Sequence, residues 1–407
     1  MNSALSHVTV LDLSRILAGP WAGQILADLG AEVIKIERPG SGDDTRAFGP
    51  PFLRNADGTH NADAAYYLCA NRNKKSVTVD MATPDGQTLI RELARGSDVV
   101  LENFKVGALK AYGLDYESLK QVNPRLIYCS ITGFGQTGPY AARAGYDFLI
   151  QGMGGLMSIT GRGADEPGAG PQKAGVAVAD ILTGLYASIG ILAALTHRER
   201  TGLGQYIDVS LLDVQIACLA NQALNYLISG QVPERLGNAH PNIVPYQDFP
   251  TRDGYMIIAV GNDAQFARLC AAAGLTELAG DPRFATNQQR VNHRAPLIEA
   301  LCRATRTRPT HEWIADLERV GVPCGPINSI DAVFADPQVR ARAMQIELPH
   351  PLAGPIPLVA NPLRLSATPV SYRTAPPVLG AHTREVLEDR LGLSASDIDA
   401  LTAKHVI

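Results

Sequence analysis

The six cysteines of this 407-residue chain, at positions 69, 129, 218, 270, 302 and 324, form no CxxC pair and no metal-ligand spacing. That pattern argues against a disulfide framework and fits free thiols in a reducing cytoplasm. The nine histidines form no HExxH or HxH cluster, so no metal site is expected. No GxGxxG fingerprint is present: Gly19 and Gly23 are the only glycines of the first turn, which leaves an NAD-type reading without its phosphate loop. The start MNSALSHVTVLDLS lacks the charged region and apolar core of a signal peptide. A net charge of −4 gives no bulk basic surface for nucleic acid.

What is present is an ordinary globular balance, 46% apolar and 19% charged, over a length sufficient for two or three domains. Val8–Leu13 reads as a buried strand, followed by a turn at Ala18-Gly19-Pro20 and a helix Trp21–Leu29 closed by Gly30. Val33–Ile36 is a second strand. Strands at Ser76–Val79, Val99–Leu101 and Leu126–Ile131 alternate with helices, one of them opened by Thr83-Pro84-Asp85. This predicts an α/β fold with a Rossmann-like, mostly parallel sheet. A sixth strand is expected within HRERTGLGQYIDVSLLD, then a helix Val214–Leu227. The loop-like stretch to Gln247 marks a boundary to a smaller domain, with a strand at Gly254–Val260 and helices to about Met344. The expected organisation is 1–200 for the first part of the large domain, 201–230 for a linker helix, 231–335 for a small α+β domain, and 336–407 for the return to the large domain.

Asp180 is the only charged side chain in the run Ala174–Leu195, AGVAVADILTGLYASIGILAAL. A carboxylate in such surroundings loses water, which raises its pKa and basicity unless hydrogen bonds or cations compensate. Carboxylates so placed are often nucleophiles or acid/base groups. The run is long enough to span a bilayer, but a lone acid at mid-span would cost a few kcal/mol. A core helix whose acid merely caps or pairs is the competing structural reading. At the end of the second strand stand Glu37 and Arg38; in doubly wound folds an acid there holds a ribose hydroxyl and a nearby Arg accommodates a ribose phosphate, which coenzyme A carries.

The segments LDLSRILAGPWAGQILADLGAEVIKIERPGSGDDTR, NRNKKSVTVDM, LENFKVGAL, NPRLIYCSITGFGQTGPY, GVAVADILTG and RTGLGQYIDVSLLD, in this order and spacing, resemble the class III coenzyme A transferases. The resemblance covers nearly the whole chain. It implies a large Rossmann-like domain built from both ends of the chain, a small middle domain, and two such chains interlocked as a homodimer. It implies acyl-CoA and a free carboxylic acid as substrates, and no metal, NAD, nucleic acid or membrane partner. Asp180 falls on the family's nucleophile. CoA-binding positions carried over are Ala18, Arg38, Val79, Met81, Asn103, Phe104 and Lys105, and the run Arg143, Ala144, Gly145, Tyr146 and Asp147.

Departures from formyl-CoA transferase point to the acyl pocket. Leu17 replaces a glutamine, and AHPNIVPYQ replaces a glycine-rich loop. The motifs GSGDDTRAFGPPF, YYLCANRNKKS and HPNIVPYQDF look closer to the succinyl-CoA:glutarate, dicarboxylate-using branch. Leu17, Arg46, His240 and Tyr246 are therefore the candidate substrate residues. Two other classes compete. The related acyl-CoA racemases carry a GHD triplet where this chain reads Gly145-Tyr146-Asp147, and a tyrosine with pKa near 10 is a poor proton shuttle at neutral pH. A non-catalytic acyl-CoA binder would not need an acid in the small-residue helix.

Overall fold

Alternate residues of one strand feed two different cores. Val10 belongs to one hydrophobic layer and Leu11 to the other, as do Val33 and Ile34, and Val99 and Val100. Such two-faced burial is what a parallel sheet covered by helices requires. In the computed structural model, which describes residues 3–407, the strands are β1 (Thr9–Asp12), β2 (Glu32–Glu37), β3 (Lys74–Thr78), β4 (Val99–Glu102), β5 (Ile127–Thr132) and β6 (Tyr206–Ser210). They form one parallel sheet in the order β3-β2-β1-β4-β5-β6. The doubly wound expectation holds.

One face is covered by α1 (Ala18–Asp28) and the other by α2 (Pro84–Arg95), the latter capped by the Thr83 side chain accepting the Gly86 N–H at 3.0 Å. A cap of this kind contributes about 1 kcal/mol. The expected turn at Ala18-Gly19-Pro20 is instead the first turn of α1, where proline's missing N–H costs nothing. Short helices α3 (Tyr116–Val122) and α4 (Asp147–Met153) precede the long α5 (Val178–Thr201). Among the described residues α5 is the one helix long and apolar enough to cross a membrane. It is also a core helix, with Ala179, Ala187, Ile191 and Ala194 buried in the same layer as α1. Gly184 makes that packing possible: a Cβ there would lie 2.7 Å from the Ala18 carbonyl oxygen.

The predicted helix Val214–Leu227 is two helices, α6 (Leu211–Ala217) and α7 (Ala220–Ser229), broken where Ala220 takes a φ of 47°. The chain divides into two compact units. The first comprises 1–156, 174–224 and 338–407, so both chain ends contribute to it. Its C-terminal residues Val386, Leu387 and Ile398 complete the layer over α2. The second comprises 157–173 and 225–337; residues 157–173 thus leave the span the sequence assigned them to. It carries an antiparallel sheet of Tyr246–Pro250, Tyr255–Ala259 and Cys324–Pro326 around a core that includes Phe249, Ile258, Leu297 and Trp313.

Candidate active site

The order of the large sheet reverses between β1 and β4. Loops leaving neighbouring strands there diverge, and ligands of open α/β sheets bind in the crevice so formed. The crevice is lined by Arg15, Ile16, Leu17 and Ala18 after β1, by Asn103, Phe104 and Lys105 after β4, and by Thr132 and Gly133 at the end of β5. Arg143, Ala144, Gly145 and Tyr146 form a further wall, and Asp180 reaches the same cleft. Gly133 and Gly145 let these last two walls touch backbone to backbone; a Cβ on Gly133 would sit 2.5 Å from the Gly145 Cα. Ten of the residues singled out from the sequence, from Leu17 to Asp180, are therefore brought to one cleft.

Asp180 is the third residue of α5 and is 9% exposed. Among the described residues its carboxylate accepts no hydrogen bond. Burial, and secondly the charge of Asp147, push its pKa up to about 7. Asp147 has a defined job. One carboxylate oxygen accepts the N–H groups of Ala179 at 2.8 Å and Asp180 at 3.3 Å, and the other accepts the Gln151 side-chain amide at 2.7 Å. It thus caps α5 from 33 residues away, a task that Ala177 at the N-cap cannot perform.

That cap changes where oxyanion donors can come from. The first-turn amides of α5 face a carboxylate already. At α1, the N-cap Leu17 supplies no side-chain cap, and the Leu17 and Ala18 N–H groups have no partner among the described residues. Both residues line the cleft.

Three cations sit at the mouth. Lys105 is exposed; Arg143 stacks over Tyr140, 4.6 Å from its ring centre; Arg15, which the sequence reading missed, lies over Phe104 and pairs with Asp44 at 3.0 Å. Such a rim suits a phosphorylated ligand. Tyr66 was also missed. Burial and then the Asp180 charge push its phenol up to about 12, and Phe48 lies edge-on to it at 5.7 Å.

Other expectations are corrected. Arg46 is not free to clamp a substrate: it is 4% exposed and donates to Glu37, Asp63, Tyr67 and the Pro377 carbonyl. Glu37 turns inward to Arg46 and Ser76 and is unavailable to a ribose hydroxyl. Val79 and Met81 pack in the hydrophobic layer over α2, outside the cleft lining. Arg38 is exposed beyond β2 and does not line the cleft either. His240 and Tyr246 belong to the second unit, their rings 5.3 Å apart, with the His240 Nδ1 accepting the Asn242 N–H.

A switch-point cleft with a desolvated, unpaired aspartate and a cationic rim is the setting for acyl chemistry on a phosphorylated carrier. The sequence pattern of CoA-transferase family III matches residues 5–383. The chain belongs to that family. It is 55% identical to a succinate–glutarate CoA-transferase of Agrobacterium fabrum over 95% of each chain. It is 45% identical to the succinyl-CoA:glutarate CoA-transferase of Homo sapiens, over 99% of this chain and 90% of that one. A crystal structure of a CaiB/BaiF family protein from Brucella suis superposes with a TM-score of 0.84 at 52% identity, covering 96% of this chain and all of the other. The protein is a CoA-transferase.

Proposed function

We propose that this CoA-transferase moves CoA from succinyl-CoA to a short dicarboxylate, glutarate foremost, with Asp180 as nucleophile. The names of the Agrobacterium and human relatives support the substrate pair. The observation that carries the mechanism is the Asp180 carboxylate: in the cleft, desolvated, and without a hydrogen bond. Asp180 attacks the donor thioester carbonyl, the C–S bond breaks, and CoA thiolate leaves a mixed anhydride. The thiolate then attacks the aspartyl carbonyl, expelling the donor acid and leaving an aspartyl–CoA thioester. The acceptor carboxylate attacks that thioester, and the same steps in reverse release the new acyl-CoA. Water must be kept out, since it would hydrolyse the anhydride. Leu17 and Ala18 amides are the donors left for the developing oxyanion. Lys105, Arg143 and Arg15 hold the CoA phosphates.

The homodimer and the cytoplasm are part of the same reading. Exposed Leu185, Tyr186 and Ile189 on α5, and an apolar groove between Trp21, Ile25, Leu68, Leu185 and Leu358, give a second copy a surface to cover. All six cysteines are free thiols. Hydroxylamine trapping during turnover should modify Asp180, and Asp180→Ala should abolish transfer while light scattering still gives twice the chain mass. Substantial transfer by purified Asp180→Ala would overturn the mechanism, and a monomer on dilution would overturn the interlocking.

A further inference from the structure

The loop between β1 and α1 is bent into a conformation its sequence resists. Ile16 has φ 71°, in the left-handed region that a β-branched residue avoids. Nothing local in Ser-Arg-Ile-Leu favours it, so the surroundings must impose it. Two buried charged groups impose it. The Lys35 ammonium and Asp43 carboxylate form an ion pair at 2.8 Å, with side chains 1% and 0% exposed. The two ends of that pair grip the loop on either side of Arg15. Lys35 Nζ donates to the Ser14 carbonyl at 2.8 Å, and Asp43 Oδ1 accepts the Ile16 N–H at 3.2 Å. Asn103 holds both backbone groups of Arg15 between them, and Asp12 accepts the Ser14 N–H at 3.0 Å. The next amides, of Leu17 and Ala18, have no partner among the described residues and belong to residues that line the cleft.

We infer that the Lys35–Asp43 pair is a positioning clamp for the CoA-transfer reaction: by holding Ile16 left-handed it aims the Leu17 and Ala18 N–H groups at the carbonyl that Asp180 attacks. This rests on the proposed role of Asp180. A buried ion pair is a poor way to gain stability, since an apolar pair of similar volume is often as good or better. Its use here is geometric: one buried cation and one buried anion fix a carbonyl and an amide two residues apart in a single relative orientation.

The test separates the hydrogen bond from the charge. Asp43→Asn keeps the Oδ1 acceptor for Ile16 but leaves Lys35 without its anion; Asp43→Ala removes both. Both variants should melt lower than wild type. The clamp predicts that kcat follows the acceptor: Asp43→Ala loses roughly tenfold or more in kcat with KM for the acyl-CoA little changed, while Asp43→Asn keeps most of kcat. Ile16→Gly placed in the Asp43→Ala background should restore most of kcat without restoring the melting temperature, because glycine enters the left-handed region unaided. If kcat instead falls in step with melting temperature, or glycine fails to rescue the folded double variant, the clamp is refuted. Should Asp43→Ala not fold, Lys35→Met, which removes the grip on the Ser14 carbonyl, takes its place: a loss of kcat that added Ile16→Gly restores supports the clamp, and unchanged kcat overturns it. Transfer is scored on any acid pair the wild type turns over, so a wrong choice of acceptor is seen separately in the wild type.

Discussion

Asp180→Asn should make the protein more stable at neutral and alkaline pH while abolishing transfer. The raised pKa has a thermodynamic cost. Folding moves the Asp180 carboxyl from an ordinary value near 3.8 to about 7, first by burial and then by the Asp147 charge. At 1.36 kcal/mol per pH unit that corresponds to roughly 4 kcal/mol of stability forgone once the group is ionised in both states. The sign follows from which state binds the proton. Below the unfolded pKa the group is protonated in both states and costs nothing. Between that value and about 7 the unfolded chain ionises and the folded one does not, so stability falls as pH rises. Above about 7 the full cost is present. Asparagine is close to isosteric and never ionises. The stability difference between Asp180→Asn and wild type should therefore be near zero at about pH 4, grow as pH rises, and level off above neutrality at up to roughly 4 kcal/mol. Denaturant unfolding of both proteins at matched concentration across that range measures it. A difference flat with pH, or a variant less stable than wild type at about pH 8, would refute the desolvation argument. The same group should set the ascending limb of kcat/KM at about pH 7 in the free enzyme.

Asp147→Asn removes the like charge beside Asp180, so that limb should move to lower pH; loss of the Gln151 bond at the second oxygen should cost about 1 kcal/mol in unfolding experiments. Gly184→Ala puts a Cβ 2.7 Å from the Ala18 carbonyl and should destabilise by roughly 1–3 kcal/mol while lowering kcat, both read on one purified sample. Glutarate should outcompete butyrate as acceptor by tens-fold in specificity constant, since a charge-assisted hydrogen bond to the second carboxylate contributes about 1.5–3 kcal/mol; equal use of butyrate in a thioester assay would remove the dicarboxylate reading.

The parallel sheet was legible because its strands are near-continuous apolar runs separated by helical spacing, VTVLDL and EVIKIE among them. Three elements were not. The hairpin Gln345–His350 with Gly354–Val359 carries Pro349, Pro355 and Pro357, residues that ordinarily interrupt a sheet; a two-stranded ribbon tolerates them because each strand has a free edge. The break at Ala220 has no glycine or proline to announce it. Pro20 punctuates the sequence like a turn but lies inside the first turn of α1. Asp180 was legible because isolation in an apolar run is a local property. Tyr66 and the capping role of Asp147 depend on contacts between distant segments, which no spacing encodes.

The harder distinction lies among the acids. Asp12, Glu37, Asp43, Glu102 and Asp180 are all buried, and burial alone would raise the pKa of each. At Asp12, Glu37 and Asp43 that effect is outweighed by neighbouring cations: Lys74 and Lys35 at Asp12, Arg46 and Lys35 at Glu37, Lys35 at Asp43, which is held at about 2. Glu102 and Asp180 have no cation, and burial carries each to about 7. Glu102 nevertheless accepts the Phe104 N–H at 2.7 Å, so one of its oxygens is engaged. Among the described residues Asp180 alone of the five keeps a carboxylate free of both cations and hydrogen bonds while lining the cleft. Pairing lowers the nucleophilicity of a carboxylate along with its pKa, so the acid the fold leaves unpaired is the one suited to the proposed attack. In sequence, Asp12 in TVLD and Asp180 in AVAD look alike, each an acid among apolar neighbours. They differ because parallel pairing carries Lys74 to Asp12 across 62 residues of chain, while what reaches the start of α5 is the carboxylate of Asp147.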